Sequence, residues 1–536
     1  MIRGQVVFRN IKLPYDKDEG YALECAHHKA EKLGVTAKLE DARIHKKSVD
    51  ARRKGGKPSF VYSIAFAVEQ SPDRELLEKY DAVYIAREDI NPIFGNETLG
   101  ARPIVVGFGP CGMYAAMLLA ENGYRPIVIE RGSDADNRRA AVKRFYKTGV
   151  LENSNIQFGA GGAGTFSDGK LVTRINDPRC SYVLETMVEL GAPDEVLYSA
   201  KPHVGTDKLL GVVRNAAHRI KELGGEIKYN VKLTDVTVQN GKVTRIKTDD
   251  GEEYEVSVLI LAIGHSARDT YEMLFENGVA MEAKPFSVGV RVEHFQTRVD
   301  ESLYGKLAGD PRLPKGEYAL SHREGGRAVY TFCMCPGGEV VAAASEAGGV
   351  VTNGMSSFAR DGKNANAAVA VSVSPEDYGA SPLDGIEFQR RLERGAFELG
   401  GGGYKAPCET VGDFIEGKAE KLRTPKIIRP TYMNGNVRVA RLDTIFPTYV
   451  NSMLRRGFEV FGNKMRCFRD PAAPLTGVET RTSAPVRIMR GEKYTALGID
   501  NLYPGGEGAG YAGGITSAAV DGINIAMAVM ERYKAE

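Results

Sequence analysis

The chain has 536 residues, 43% of them hydrophobic and 26% charged, with a formal net charge of +2. That length exceeds what one hydrophobic core supports and points to two or three domains, while the near balance of charge leaves no global field for nucleic acid or acidic lipid. No apolar run is long enough to span a bilayer, Met1 to Val6 lacks the apolar core of a signal peptide, and the seven cysteines follow no disulfide-framework spacing. A reducing cytoplasm is the expected location.

Residues 1–97 read as a unit of their own. Gln5–Phe8 has the pattern of a strand, Tyr21–Leu33 of a helix, Ala37–Ile44 and Ser59–Val68 of strands, Arg74–Lys79 of a short helix and Ala82–Ile85 of a last strand. That order is the split βαβ, ferredoxin-like arrangement, with Asn91-Pro92 and Gly95-Asn96 as linker. Between the central strands lies a basic loop, 43–57, carrying Arg43, Lys46, Lys47, Arg52, Arg53, Lys54 and Lys57 against Asp50. A solvated hairpin or docking loop is the favoured reading. RNA binding is the alternative, and it is weakened because Phe60, Tyr62 and Phe66 alternate on one strand without a clear pair of stacking aromatics at the central positions.

Residues 98–283 open on Pro103-Ile104-Val105-Val106-Gly107-Phe108-Gly109-Pro110-Cys111-Gly112, an apolar strand running into a glycine turn. A helix follows over Met113–Asn122, then a strand over Pro126–Ile129 that ends on Glu130. The spacing fits a dinucleotide fingerprint: Gly107 for the tight turn, Gly109 for backbone approach to a pyrophosphate, Gly112 for helix-on-strand packing and Glu130 for a ribose hydroxyl. The helix N-terminus at Pro110 and Cys111 offers free N–H groups to the phosphates.

Arg138, Arg139, Lys143 and Arg144 follow on a helix that reads as a solvated face, while the family resemblance given below implies a basic residue here near the phosphates. The run 155–170 is rich in glycine and polar residues. Gly162, Ala163, Gly164, Ser167 and Lys170 are expected in a loop lining a planar ring, because glycine lets backbone lie flat against it. Lys170 leads into apolar Leu171-Val172 and not into a helix, which argues against a P-loop. A helix over Leu209–Leu223, a strand over Gly225–Val231, a small meander to Val256 and a buried strand from Val258 closing on Gly264-His265 complete the segment. That last strand is expected beside the first. His265 reads as a proton donor or, more simply, a satisfied loop histidine, and no metal site emerges.

Residues 284–480 interrupt these layers and read as a substrate or cap domain. Phe286–Val292, Arg327–Phe332 and Val340–Ala344 have strand patterns; Asp384–Leu399, Val411–Lys418 and Val450–Val460 have helix patterns. Cys333-Met334-Cys335 offers a dithiol or a thiolate nucleophile; packing of two small residues on one strand face is the plainer reading, and a Cys-x-Cys disulfide is strained. Arg423, Lys426, Arg429, Arg438 and Arg441 offer an anion site or a solvated surface.

Residues 481–536 return to the nucleotide-binding layers. Gly505-Gly506-Glu507-Gly508-Ala509-Gly510-Tyr511-Ala512-Gly513-Gly514-Ile515 precedes an apolar helix, Thr516–Met530, with no second strand and acid after it. A second nucleotide domain is therefore not expected from this segment. The segment suits the far end of a long cofactor, with Glu507 on ribityl hydroxyls and N–H groups near Gly514 and Ile515 on the pyrimidine edge of a flavin.

Gly107 to Gly112 together with this terminal glycine run resembles the one-Rossmann-domain FAD oxidoreductases, a group that includes geranylgeranyl-reductase-like and hydroxybenzoate-hydroxylase-like flavoproteins. More narrowly, Gly161-Gly162-Ala163-Gly164-Thr165-Phe166-Ser167-Asp168-Gly169-Lys170-Leu171 and Thr331-Phe332-Cys333-Met334-Cys335-Pro336-Gly337-Gly338 resemble an uncharacterised bacterial FAD-dependent dehydrogenase family with an extra N-terminal domain. The resemblance implies FAD, with Arg131 near the phosphates, Val231 holding the adenine through its backbone, an Ala262-x-Gly264 turn near the cofactor, Gly508 and Ala509 in the terminal loop, and Arg481 or Ser483 facing the flavin. It implies no substrate.

The fold class expected is mixed α/β and α+β: a three-layer ββα Rossmann-like FAD domain over 98–283 and 481–536, an inserted substrate domain over 284–480, and the ferredoxin-like unit in front. The expected function is hydride transfer between non-covalent FAD and a small-molecule substrate, with NAD(P)H as a transient electron donor. The alternative is an RNA- or ribosome-associated flavoprotein.

Overall fold

The computed structural model describes residues 4–51, 57–86, 90–417 and 422–535. Arg52, Arg53 and Lys54 of the basic loop, and Lys418 at the end of one expected helix, lie outside these residues.

The first sheet contains β1 (Gly4–Pro14), β2 (Arg43–Asp50), β3 (Ser59–Val68) and β4 (Ala82–Ala86) in the order β2-β3-β1-β4, every neighbour antiparallel. Helix α1 (Glu19–Leu33) is capped by the Asp18 carboxylate at one end and by Gly34 at φ 78° at the other. It lays Ala22, Ala26 and Ala30, one residue every four, on Val6, Phe8, Ile64 and Phe66 of the sheet. Helix α2 (Arg74–Lys79) crosses between β3 and β4. The expected strand over 37–44 begins later, because Leu39–Asp41 takes a 3-10 turn, so Arg43, Lys46 and Lys47 lie on β2 and not in a loop. Lys47 is engaged three ways: its ammonium pairs with Glu19, its N–H donates to the Tyr198 carbonyl (2.7 Å) and its carbonyl accepts from Ala200 (2.8 Å). Those two backbone bonds dock the sheet onto the body of the molecule.

A five-stranded parallel sheet forms the second layer. β5 (Ile104–Val106) lies between β6 (Ile127–Glu130) and the strand Leu259–Leu261; β7 (Glu226–Tyr229) flanks β6, and Leu502–Pro504 flanks Leu259–Leu261. Alternation sorts the two faces. Val105, Val128, Ile260 and Tyr503 point to the helices, while Ile104, Val106, Ile129, Leu259 and Leu261 point to the meander of Leu233–Gln239, Lys242–Thr248 and Glu253–Glu255. Helix α3 (Pro110–Glu121) is buried along ten of its residues, wedged between this sheet and the C-terminal helix Ile515–Arg532. The segment before β5 is pinned to the end of that helix: Gly95 N–H donates to the Met530 carbonyl (2.8 Å), and Lys534 N–H to the Glu97 carbonyl (3.0 Å).

A seven-stranded sheet forms a further layer. Its order is Ser321–Glu324, Arg327–Cys335, Asn364–Val373, Phe286–Phe295, Pro474–Glu479, Ala406–Thr410 and Val437–Val439, antiparallel except for the last pair. Helix Thr448–Lys464 buries Leu454, Phe458 and Phe461 against Val290, Val292 and Val329. The strand expected over Val340–Ala344 does not join it. Glu339–Ala342 pairs instead with Thr352–Met355 in a two-stranded ribbon.

Candidate functional site

A cleft open to solvent runs between the ends of the parallel strands and the seven-stranded sheet. Its floor begins at the turn after β5. Gly107 sits at φ 98°, where a Cβ would stand 2.3 Å from the Ala262 carbonyl oxygen; a Cβ on Gly112 would stand 2.0 Å from the Gly107 oxygen. These two glycines answer to packing inside the protein, and Gly112 does not reach the cleft. Gly109 differs: a Cβ there would meet only the Gly162 Cα, at 3.7 Å. Its bare backbone faces the cleft at the N-terminus of α3, beside Pro110 and Cys111.

Glu130 ends β6 at the cleft wall, as the fingerprint requires, but most of its carboxylate is already engaged. Oε2 accepts from Phe108 N (2.8 Å) and Oε1 from Gly132 N (2.8 Å) and Gly159 N (3.0 Å). A carboxylate offers about four acceptor positions, so one remains for a hydroxyl. Arg131 lines the same wall with its fork fixed on Asp269 (2.9 and 3.0 Å) and its guanidinium 4.0 Å above the Phe158 ring.

The glycine-rich loop is held by a residue that the sequence reading left on a solvated face or at the phosphates. Arg138 on α4 (Ala135–Thr148) is fully buried and donates to the carbonyls of Asn155, Ile156, Gly159, Ala160 and Gly162 at 2.7–3.1 Å. Burial lowers its pKa to about 10, against the pull of Glu130, so it stays charged at neutral pH. Those five bonds fix Gly159, Gly161 and Gly162, all at positive φ, and Gly159 and Gly162 line the cleft. Gly162, Ala163, Gly164, Ser167 and Lys170 line it.

The far end is built by the C-terminal glycines. Gly505 and Gly506 pack on Cys111, where added Cβ atoms would stand 2.8 Å from its Sγ and 2.7 Å from its Cβ. Glu507, Gly508, Gly514 and Ile515 line the cleft, whereas Ala509 is buried in the layer behind it. Tyr271 Oη donates to the Gly508 carbonyl (2.6 Å). Gly513 and Gly514 face open space at the N-terminus of the last helix, so two helix N-termini open onto one cleft. Val231, Ala262 and Gly264 line the wall between. His265 lies there too; burial lowers its pKa, Arg481 and Arg268 add to the effect against Glu507, and the ring is neutral at pH 7.

Phe332, Cys333 and Glu479 of the seven-stranded sheet, Arg481 and Thr482 just after it, and Asn353 of the two-stranded ribbon form the opposite wall. Arg481 reaches the cleft with its guanidinium held by Glu393 (3.1 and 3.2 Å). Ser483 does not: it accepts from Lys284 Nζ (2.7 Å), away from the lining. Cys335 is fully buried behind Cys333, contrary to the shared face expected of an extended Cys-x-Cys. None of the run Arg423, Lys426, Arg429, Arg438 and Arg441 lines this cleft; Arg423 pairs with Glu416 and Arg441 with Asp443. The sequence reading missed Gln157, a residue of the cleft lining whose Oε1 accepts from Ser266 (3.1 Å) while its buried Nε2 has no partner among the described residues.

A parallel sheet with a glycine turn, an acid after the second strand and two helix N-termini on one elongated cleft define a nucleotide-cofactor oxidoreductase. Residues 285–482 match the family model described as FAD-dependent protein, C-terminal domain-like, and residues 101–274 match that of pyridine nucleotide-disulphide oxidoreductase. An uncharacterised protein of Clostridium beijerinckii is 48% identical over 498 residues, 91% of this chain and 92% of that protein. Protein FixC of Escherichia coli K12 is 26% identical over 35% of this chain and 42% of its own length. The crystal structure of CtdE in complex with FAD aligns at 12% identity over 81% of this chain and 84% of that chain, with a TM-score of 0.33. The chain belongs to the FAD-dependent protein family, its cofactor is FAD, and at the general level it is an oxidoreductase. Among the described residues no helix is long and apolar enough to cross a membrane.

Proposed function

We propose that the cleft holds FAD without a covalent bond and that the chain transfers a hydride between this cofactor and a small-molecule substrate admitted beneath the seven-stranded sheet. The observation carrying this reading is the contact of the two glycine segments, Gly505 and Gly506 against Cys111, around one cleft. Pyrophosphate is assigned to the open backbone at Gly109 and the N-terminus of α3, ribose to the remaining acceptor position of Glu130, and adenine to Val231. Gln157 Nε2 is a donor still to be used, and its burial makes leaving it unpaired cost about 1–3 kcal/mol. The flavin end is assigned to the loop from Gly162 to Lys170 and to Glu507, Gly514 and Ile515, where a helix N-terminus favours negative charge on the pyrimidine edge.

When bound, FAD supplies reversible two-electron chemistry. The protein supplies the rest: Arg138 holds the glycine loop flat, the seven-stranded sheet excludes water, and the neutral His265 is a proton acceptor at the cleft wall. Only one Rossmann-like unit is expected, so NAD(P)H is read as a visitor to the substrate space. The divisions 98–283 with 481–536, 284–480 and 1–97 are read as FAD domain, cap and ferredoxin-like unit. The strand order β2-β3-β1-β4 with α1 and α2 supports the last, and the docking of Lys47 favours an attachment element over an RNA platform. The test is reconstitution: the purified protein is expected to take up FAD stoichiometrically and to bleach on addition of NADH or NADPH, and failure to take up FAD would overturn the assignment of the cleft.

A further inference from the structure

On the wall that faces the cofactor loops, the polar side chains are committed to one another. Glu479 accepts from Arg291 Nε and Nη2 (3.0 Å each) and from Thr352 (3.2 Å); Asn353 Oδ1 accepts from Arg291 Nη2 and Gly354 N (2.8 Å each). Arg481 is held by Glu393, and Thr482 Oγ1 bonds Ser287 N and O (3.0 Å each). The nucleophile left on that wall is the sulfur of Cys333.

Its backbone is unusual for the reason that makes it useful. The pairing of Arg327–Cys335 with Asn364–Val373 slips between Phe332 and Cys335, and Cys333 takes φ 45°. That conformation is strained for a non-glycine residue and persists only where the surroundings impose it. Here Arg291 Nη1 donates to the Cys333 carbonyl (3.1 Å) and Lys170 Nζ bonds the Met334 carbonyl while pairing with Asp168 (2.6 Å). In an extended strand the two cysteines would stand about 6.6 Å apart, past the roughly 3.5–4.5 Å between Cβ atoms that a disulfide spans. The bulge breaks that geometry and turns Cys335 back, its Sγ 3.3 Å from the Cys333 carbonyl oxygen. The two thiols are also unequal. A hydrogen bond from Cys335 lowers the pKa of Cys333, against burial and with help from Lys170 and Arg291; the same bond, burial and the Cys333 charge raise that of Cys335. Cys333, partly exposed, is the more acidic of the two, and Cys335, fully buried, the less acidic.

We propose that Cys333 and Cys335 are a redox-active dithiol that exchanges with a small-molecule disulfide admitted to the cleft, Cys333 attacking and Cys335 resolving. The Cys333 thiolate bonds to one sulfur of R–S–S–R, the substrate S–S bond breaks, and one RS⁻ leaves. Cys335 then attacks the Cys333 sulfur, its proton passing to the second departing RS⁻. The dithiol is oxidised to a disulfide and the substrate is reduced by two electrons to two thiols, one further proton coming from water. Regeneration draws two electrons from a reduced nicotinamide nucleotide, and this last part rests on the FAD reading above.

The experiment treats FAD-loaded full-length protein with oxidised glutathione at neutral pH, quenches with iodoacetamide and maps the peptides by mass. The wild type is expected to show a Cys333–Cys335 disulfide, Cys335→Ser a lasting glutathione adduct on Cys333, and Cys333→Ser neither, with Cys25, Cys111, Cys180, Cys408 and Cys467 as internal references. Cys335→Ala serves where the serine variant melts early. No disulfide in the wild type and no adduct in a resolving-cysteine variant that melts and absorbs like the wild type would overturn the proposal. Adduct formation in protein that takes up no FAD would uphold the thiol pair and overturn the flavin reading instead.

Discussion

Gly522 lies directly against the carbonyl oxygen of Cys111, so that a Cβ on it would stand 2.1 Å away. The C-terminal helix and α3 therefore cross almost backbone to backbone, and this crossing sets both cofactor-facing glycine segments around one cleft.

Gly522→Ala is expected to destabilise the protein by about 1–3 kcal/mol through overpacking, lowering the melting temperature and FAD uptake together. Gly109→Ala, whose added methyl makes only an ordinary contact with Gly162, is expected to melt like the wild type and to lose FAD affinity at least tenfold. Thermal melts beside FAD titrations check the contrast, and equal loss of stability in both would contradict it.

Arg138→Met leaves five carbonyls of the glycine loop without their donor. A cost of at least about 3 kcal/mol in urea unfolding is expected, given 1–3 kcal/mol for each buried unsatisfied group. Arg138→Lys has three donors in place of five and is expected to fall between Met and wild type.

Glu393 carries the acid sensitivity of the cap. Burial alone would raise its pKa, but Arg268 and Arg481 outweigh burial and hold it well below the usual carboxylate range. A folded-state pKa below the unfolded value of about 4.3 adds stability that is complete above that pH and drains away as the pH falls beneath it. Glu393→Gln strips buried Arg481 of its paired carboxylate, leaves Arg268 with Glu346 alone, and is expected to cost about 3–5 kcal/mol at pH 7, with a shallower loss of stability below pH ~4. Denaturant melts at pH 7 and in acid measure both.

Lys170→Met removes a cation that favours the Cys333 thiolate. The pH profile of iodoacetamide labelling at Cys333 is expected to move upward by about one unit, tenfold in thiolate fraction below the midpoint. An unmoved profile would place the activating charge elsewhere.

Local signals were strong wherever a feature depends on neighbours in sequence. Ser59–Val68, Arg74–Lys79 and Asp384–Leu399 have the bounds that alternation and helix periodicity indicate, and the strand closing on Gly264 lies beside the first one. What was illegible depends on distant partners. Arg138 reads as one cation on a charged helix until five carbonyls from 155–162 converge on it, and Cys333 and Cys335 read as one face of a strand until a register slip separates them. Ser483 sits next to cleft residues in sequence, yet the backbone turns its hydroxyl to Lys284.

The crossing at Gly522 has a consequence during synthesis. Ten residues of α3 are buried, many of them by a helix that begins at Ile515, some four hundred positions after Gly107. While the ribosome still holds that last helix in its exit tunnel, the greasy side of α3 has no cover and the coenzyme has only half its seat. A chain that stops anywhere before residue 515 is therefore expected to aggregate and to take up no FAD.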